Sequence, residues 1–156
     1  MTLKYINGVQ GAPQAVGPYS QAVVFENVAY LSGQIPLNPE TGNIVEGDIE
    51  TQTEQVMKNL IAVLGHMGLD FSHVVKSTIY LTDMNDFQRV NNIYAKWLGV
   101  YRPARVTIQV AGLPKGADVE IDMLAAIARD ARLTTEHEGA NDLNELTGEG
   151  FCCQKS

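Results

Sequence analysis

The chain has 156 residues, 45% of them hydrophobic, and a formal net charge of −7. That length predicts one domain able to bury about two-thirds of its unfolded surface. An acidic balance argues against non-specific binding to nucleic acid or anionic membranes, and no apolar run nears the roughly 18 residues of a membrane span.

In chain order, the start MTLKYINGVQ lacks the apolar segment of a secretory signal, so a cytoplasmic protein is expected. Residues 21–25 and 28–33 read as short strands around a Glu26-Asn27 turn. The Pro/Gly/Asn-rich stretch IPLNPETGNIVEGD reads as loop. Residues 49–67 carry Val56, Leu60, Val63, Leu64 and Met67 at helical spacing, with Asp48 as N-cap and Gly68 just past the end. Residues 73–82 read as a strand, with Val75, Ser77, Ile79 and Leu81 on one parity and Val74, Lys76, Thr78 and Tyr80 on the other. A second helix follows, with Asn85 as cap, Gln88 reaching back, an apolar stripe of Phe87, Val90, Tyr94, Trp97 and Leu98, and Gly99 as terminator. Strands over 105–110 and 118–128 complete the order β-β-α-β-α-β-β. Two helices on one face of a mixed sheet make an α+β fold, and the sheet's other face then calls for a second subunit as its cover.

The last two strands carry unexpected charge. In the first, Arg105, Thr107 and Gln109 point one way and Val106, Ile108 and Val110 the other. In the second, Val119, Ile121, Met123, Ala125 and Ile127 share a face opposite Glu120 and Asp122. Each strand thus has an apolar face for the helices and a polar-bearing face. If the polar faces coincide, Arg105, Thr107 and Glu120 line the uncovered surface. A structural ion pair between strands or subunits and a functional pair are both compatible with this pattern. His66, His73 and His137 show no metal-ligand spacing with one another or with Cys152 and Cys153, so no bound metal is expected. The two cysteines, adjacent near the C-terminus, provide no disulfide framework.

The segments GPYSQAV, YLSGQIPLNPETG, VVKSTIYLTDMNDFQRVNNIY and RPARVTIQVAGLPKGADVEID together resemble the reactive-intermediate deaminase family (RidA, also called YjgF or L-PSP proteins). The resemblance runs from about residue 3 to residue 129, within one domain of residues 1–130. It implies a chorismate-mutase-like fold, a homotrimer with sites between subunits, and no cofactor. The implied reaction is hydrolysis of 2-imino acids or their enamine tautomers, such as 2-aminoacrylate and 2-iminobutanoate, to 2-oxo acids and ammonia.

By the same resemblance, Arg105 in RPAR corresponds to the arginine that grips the substrate carboxylate, a role suited to a planar, always-charged fork. Glu120 in VEID corresponds to the glutamate that holds and activates water. Tyr19 in GPYSQ corresponds to the cleft wall, Ser32 and Gly33 in LSGQIP to the pocket lining, and Asn91 in FQRVNNIY to a helix asparagine aimed at the site. Each has a plainer reading beside it: a half-buried aromatic for Tyr19, small residues at a strand end for Ser32 and Gly33, a solvated helix amide for Asn91. Thr107 stands where many bacterial members carry cysteine; hydrolysis needs no thiol, and the threonine backbone and hydroxyl remain able to hold water or add a hydrogen bond. Two other functions go with the resemblance, a carboxylate-binding regulatory trimer without turnover and an endoribonuclease. For the last, the sequence offers no histidine pair, metal site or basic patch.

Residues 131–156 contain five acidic residues against two basic ones and read as a polar appendage outside the family core. The final Cys153-Gln154-Lys155-Ser156 has the outline of a prenylation box, but its middle positions are polar where aliphatic residues are wanted. Deleting 131–156 is expected to leave assembly and turnover intact; a truncated protein that fails to assemble, by light scattering, would make the segment structural.

Overall fold

The computed structural model describes residues 2–127. The polar C-terminal segment, with His137, Cys152, Cys153 and the prenylation outline, lies outside the described residues. Within them runs one six-stranded sheet. Its strands are β1 (Leu3–Ile6), β2 (Ala22–Phe25), β3 (Val28–Gln34), β4 (Val74–Leu81), β5 (Ala104–Gln109) and β6 (Val119–Ala126), and its helices are α1 (Ile49–His66) and α2 (Phe87–Leu98). Spatial order is β1-β2-β3-β6-β4-β5. Every neighbouring pair is antiparallel except β4–β5, which is parallel. A parallel pair needs a crossover, and α2 supplies it.

Both helices pack on one sheet face, as the α+β reading expects. From α1, Val56, Met57, Leu60, Val63 and Leu64 are fully buried. Asp48 caps this helix by accepting from the Thr51 amide at 3.0 Å, and Gly68 follows it at φ +73°, a left-handed conformation that favours glycine. The Trp97 indole of α2 donates to Glu54 of α1 at 2.7 Å, tying the helices together at their rim. Gly99 ends α2 as expected.

Four expectations are corrected. Strand β1 was absent from the sequence reading; its four residues are too few for an alternation signal, and it forms by pairing with β2. The expected cap of α2 does not form: Asp83 instead caps a 3-10 turn over Met84–Asp86, and Gln88 donates to Asn92. In β4 a register irregularity between Val74 and Lys76 shifts the parity. Val74 is therefore buried with Ser77, Ile79 and Leu81, while Val75 is exposed.

The fourth correction concerns β5. Ser77, Ile79 and Leu81 of β4 face the helices, and they pair with Arg105, Thr107 and Gln109. Paired residues share a face, so Arg105 and Thr107 lie on the helix side. Val106 and Ile108 lie on the open side, where both are exposed. Glu120 pairs with Tyr80 and also belongs to the open side. The polar faces of β5 and β6 do not coincide. β5 is an edge strand whose helix-side residues meet polar and aromatic side chains of α2 rather than an apolar core, and this is why parity alone misplaced it.

Asn59 of α1 is fully buried. Its amide donates to the carbonyls of Ile35 at 3.2 Å and Leu37 at 3.0 Å, holding the loop after β3 against the helix. Asn59→Ala takes this donor from the buried Leu37 carbonyl, while the Ile35 carbonyl keeps the Leu37 amide at 2.7 Å; it is expected to cost about 2 kcal/mol, read as a lower urea midpoint at unchanged slope. An unchanged midpoint would contradict this anchoring.

Candidate functional site

Two clusters of polar side chains form at separate places. The first surrounds Glu120. Between Leu31 and Gln34 the β3–β6 ladder shifts register, so Ser32 and Gly33 bulge beside Glu120. A β-carbon on Gly33 would stand 2.0 Å from Glu120 Oε1. Only glycine permits this approach of backbone to carboxylate. The Ser32 hydroxyl donates to the Ser20 carbonyl at 2.6 Å, which joins the bulge to the loop carrying Tyr19. Buried Gln21 fixes the start of that loop, accepting from the Val9 amide at 3.0 Å and donating to the Pro13 carbonyl at 2.7 Å. The result is a cleft of ≈ 430 Å³ into which Tyr19, Ser32, Gly33, Lys115 and Glu120 project.

Glu120 makes no hydrogen bond or ion pair among the described residues. Burial raises its carboxyl above the ordinary range, and the nearby Asp122 charge adds to the rise. Asp122 is itself held by the Tyr80 hydroxyl, which donates to it at 2.8 Å. Lys115 was not singled out from the sequence. It sits at φ +56° and its ammonium donates to the Gly42 carbonyl at 3.0 Å; the Pro-Lys-Gly turn was the signal for it.

The second cluster surrounds Arg105 on the other side of the sheet. Its Nη1 donates to Asn91 Oδ1 at 2.8 Å. The rings of Phe87 and Tyr94 flank the guanidinium, with centroids 5.7 and 5.2 Å from Cζ. Thr107 lies two residues along on the same face, its hydroxyl buried without a hydrogen-bond partner. Phe87 and Tyr94 had been read only as members of an apolar stripe.

The structure thus brings Tyr19, Ser32, Gly33 and Glu120 together, and separately Arg105, Asn91 and Thr107. Within one chain the two sets do not meet. Arg105 and Glu120 form no ion pair, so the scaffold-pair reading fails inside the subunit. Chemically, one set offers a fork for a carboxylate and the other a proton-accepting carboxylate beside an apolar-walled cleft. Among the described residues no three His, Cys, Asp or Glu side chains are gathered to hold a metal, and no helix is long and apolar enough to cross a membrane.

An α+β sheet of this order, with an arginine opening its edge strand and a glutamate beside a β3 glycine, defines one class of protein, the reactive-intermediate deaminase or L-PSP class. The family model described as Endoribonuclease L-PSP matches residues 9–127, and the chain belongs to that family. It is 54% identical over 127 residues to Protein DfrA of Myxococcus xanthus, covering 80% of this chain and 96% of that one. It is 45% identical over 124 residues to the 2-iminobutanoate/2-iminopropanoate deaminase of Homo sapiens, covering 80% and 88%. Among solved structures, E. coli TdcF with bound serine superposes with a TM-score of 0.75 at 36% identity, covering 80% of this chain and all (100%) of that one.

Two carboxylates on one face of β6 give a direct test of the first cluster. Followed by NMR, Glu120 is expected to titrate above its ordinary 4.5. Asp122→Asn removes a like charge and is expected to move that titration to lower pH. Titration of Glu120 at or below 4.5 would contradict the burial described.

Proposed function

We propose that this protein is a hydrolytic deaminase of reactive 2-imino acids and their enamine tautomers, forming 2-oxo acids and ammonia. The observation that carries the reading is the placement of Arg105 and Glu120 on opposite faces of one sheet, each without an opposite charge paired to it among the described residues. A second copy that lays the open face of one subunit over the β5 edge of the next joins Tyr19, Ser32, Gly33 and Glu120 of one chain to Arg105, Asn91 and Thr107 of its neighbour. That contact links unlike patches, and closing it produces a ring. We infer a homotrimer. The exposed Tyr5, Tyr30, Val106 and Ile108 of the open face supply apolar area for the contact. The deaminase name of the human relative supports the same chemistry.

In this site the Arg105 fork binds the substrate carboxylate, with Asn91 fixing the guanidinium. An enamine first takes a proton at C3 to become the iminium. Water adds to C2 of that iminium while Glu120 accepts its proton, giving a tetrahedral carbinolamine. Glu120 returns the proton to nitrogen, and the C–N bond then breaks as the carbinol hydroxyl gives its proton back to Glu120 and becomes the C2 carbonyl; the departing ammonia takes that proton and leaves as ammonium. A carboxyl held above its ordinary range by burial and by the Asp122 charge is a stronger proton acceptor for the water step. Thr107 offers its unpartnered hydroxyl on the Arg105 side. No thiol enters.

Ammonia release from freshly generated 2-iminopropionate tests the proposal. Arg105→Lys keeps charge but loses the fork, and is expected to lower kcat/KM at least tenfold. Glu120→Gln is nearly isosteric and is expected to lower kcat by about 10²–10⁴ while still binding pyruvate. Either variant turning over at the wild-type rate removes that residue from the mechanism. A wild-type protein that binds pyruvate but never accelerates imine loss would make it a carboxylate-binding regulator instead.

A further inference from the structure

On the proposed reading of Arg105 as the carboxylate clamp, we infer that Phe87 and Tyr94 are positioning residues that form an aromatic seat for its guanidinium. Arg105 is an exposed side chain on an edge strand, and such a side chain ordinarily samples many rotamers. Here three residues of α2 restrain it. Positions 87, 91 and 94 fall at i, i+4 and i+7, one stripe of the helix. Asn91 accepts a single N–H from Nη1. The two ring centroids lie 5.7 and 5.2 Å from Cζ, within the roughly 6 Å over which a ring face attracts a cation.

All three restraining groups are neutral. Among the described residues no carboxylate pairs with Arg105. A neighbouring Asp or Glu would orient the guanidinium equally well but would occupy its fork. The rings orient it through their faces and take none of its N–H donors. One donor is used by Asn91, and the rest stay available for a bidentate carboxylate.

Tyr94 is itself fixed from below. It is buried, and its hydroxyl shares a 2.6 Å hydrogen bond with Ser77 Oγ. Fully buried Ser77 is the ladder partner of Arg105. The residue across from Arg105 on β4 therefore holds the ring that lies against the Arg105 head group. Phe87, the first residue of α2, closes the seat from the more open side and is only partly buried.

Calorimetric titration of pyruvate into the full chain, beside steady-state imine hydrolysis and thermal unfolding, tests the seat. Phe87→Leu and Phe87→Met keep apolar bulk without a π face, Phe87→Tyr keeps the π face, and Arg105→Met removes the cation. Both apolar variants are expected to bind pyruvate about three- to tenfold more weakly, with KM raised by a like factor and kcat changed less. Phe87→Tyr is expected to bind as wild type does, and Arg105→Met not at all. Wild-type pyruvate affinity in the folded Leu and Met variants, with binding lost in Arg105→Met, overturns the seat and leaves the clamp standing. Equal weakening in Phe87→Tyr also overturns it, since the ring is retained. Wild-type affinity in Arg105→Met overturns the clamp itself, and the seat with it.

Discussion

The parallel register of β5 against β4 decides which side of the sheet carries Arg105 and Thr107. Ser77 opposite Arg105 and Ile79 opposite Thr107 put both polar residues on the helix side of the sheet. Tyr80 opposite Glu120 puts the glutamate on the other. Strand side chains alternate with a period of two, so a slip of β5 by one residue would carry Arg105 across the sheet to the glutamate's side. The α2 crossover leads into β5, and the contacts of Arg105 with Asn91, Phe87 and Tyr94 of α2 hold the register against that slip. With it fixed, one chain holds two separate polar clusters, and the arginine stays beside the helix that carries Asn91, Phe87 and Tyr94.

Glu120 illustrates what the isolated subunit tolerates. Burying a carboxylate without a partner is unfavourable, and a like charge nearby makes it more so. Nothing among the described residues relieves either effect. The sequence nonetheless places Gly33 where any side chain would push the carboxylate out, and Asp122 where it keeps the proton affinity high. Groups held in such environments gather at functional sites because the strain that weakens the fold is the property the reaction uses. The uncovered sheet face poses a parallel problem, with aromatic and aliphatic side chains left in water. In the proposed trimer one contact covers the apolar face and completes the site around the half-buried acid.

Much of the fold could be read from sequence where one physical signal acted alone. The α1 stripe, its Asp48 cap and its Gly68 terminator are local, and the structure has them. So is the turn between β2 and β3, where Glu26 takes a positive φ. Readings failed where tertiary pairing overrides local pattern. An irregularity in β4 exchanges Val74 for Val75 in the core, and no composition signal marks it. Asp83 captures the turn before α2 ahead of the expected Asn85. The parity within β5 was right, but which side it faced depended on a partner strand far away in sequence. The candidate site followed the same division: Tyr19, Ser32, Gly33 and Glu120 could be named from motifs, whereas Phe87 and Tyr94 looked like ordinary core and Lys115 like ordinary turn.

The central claim is that each site takes its arginine from one copy and its glutamate from another. Subunit exchange tests it most directly. Arg105→Met and Glu120→Gln proteins, each inactive alone, are unfolded together, refolded as a mixture and assayed for imine hydrolysis. In a ring of equally mixed subunits, about a quarter of the interfaces join an intact Arg105 to an intact Glu120, so the mixture should recover about a quarter of wild-type activity. A mixture that co-assembles yet stays as inactive as its parents would place both residues in a single-chain site and contradict the account.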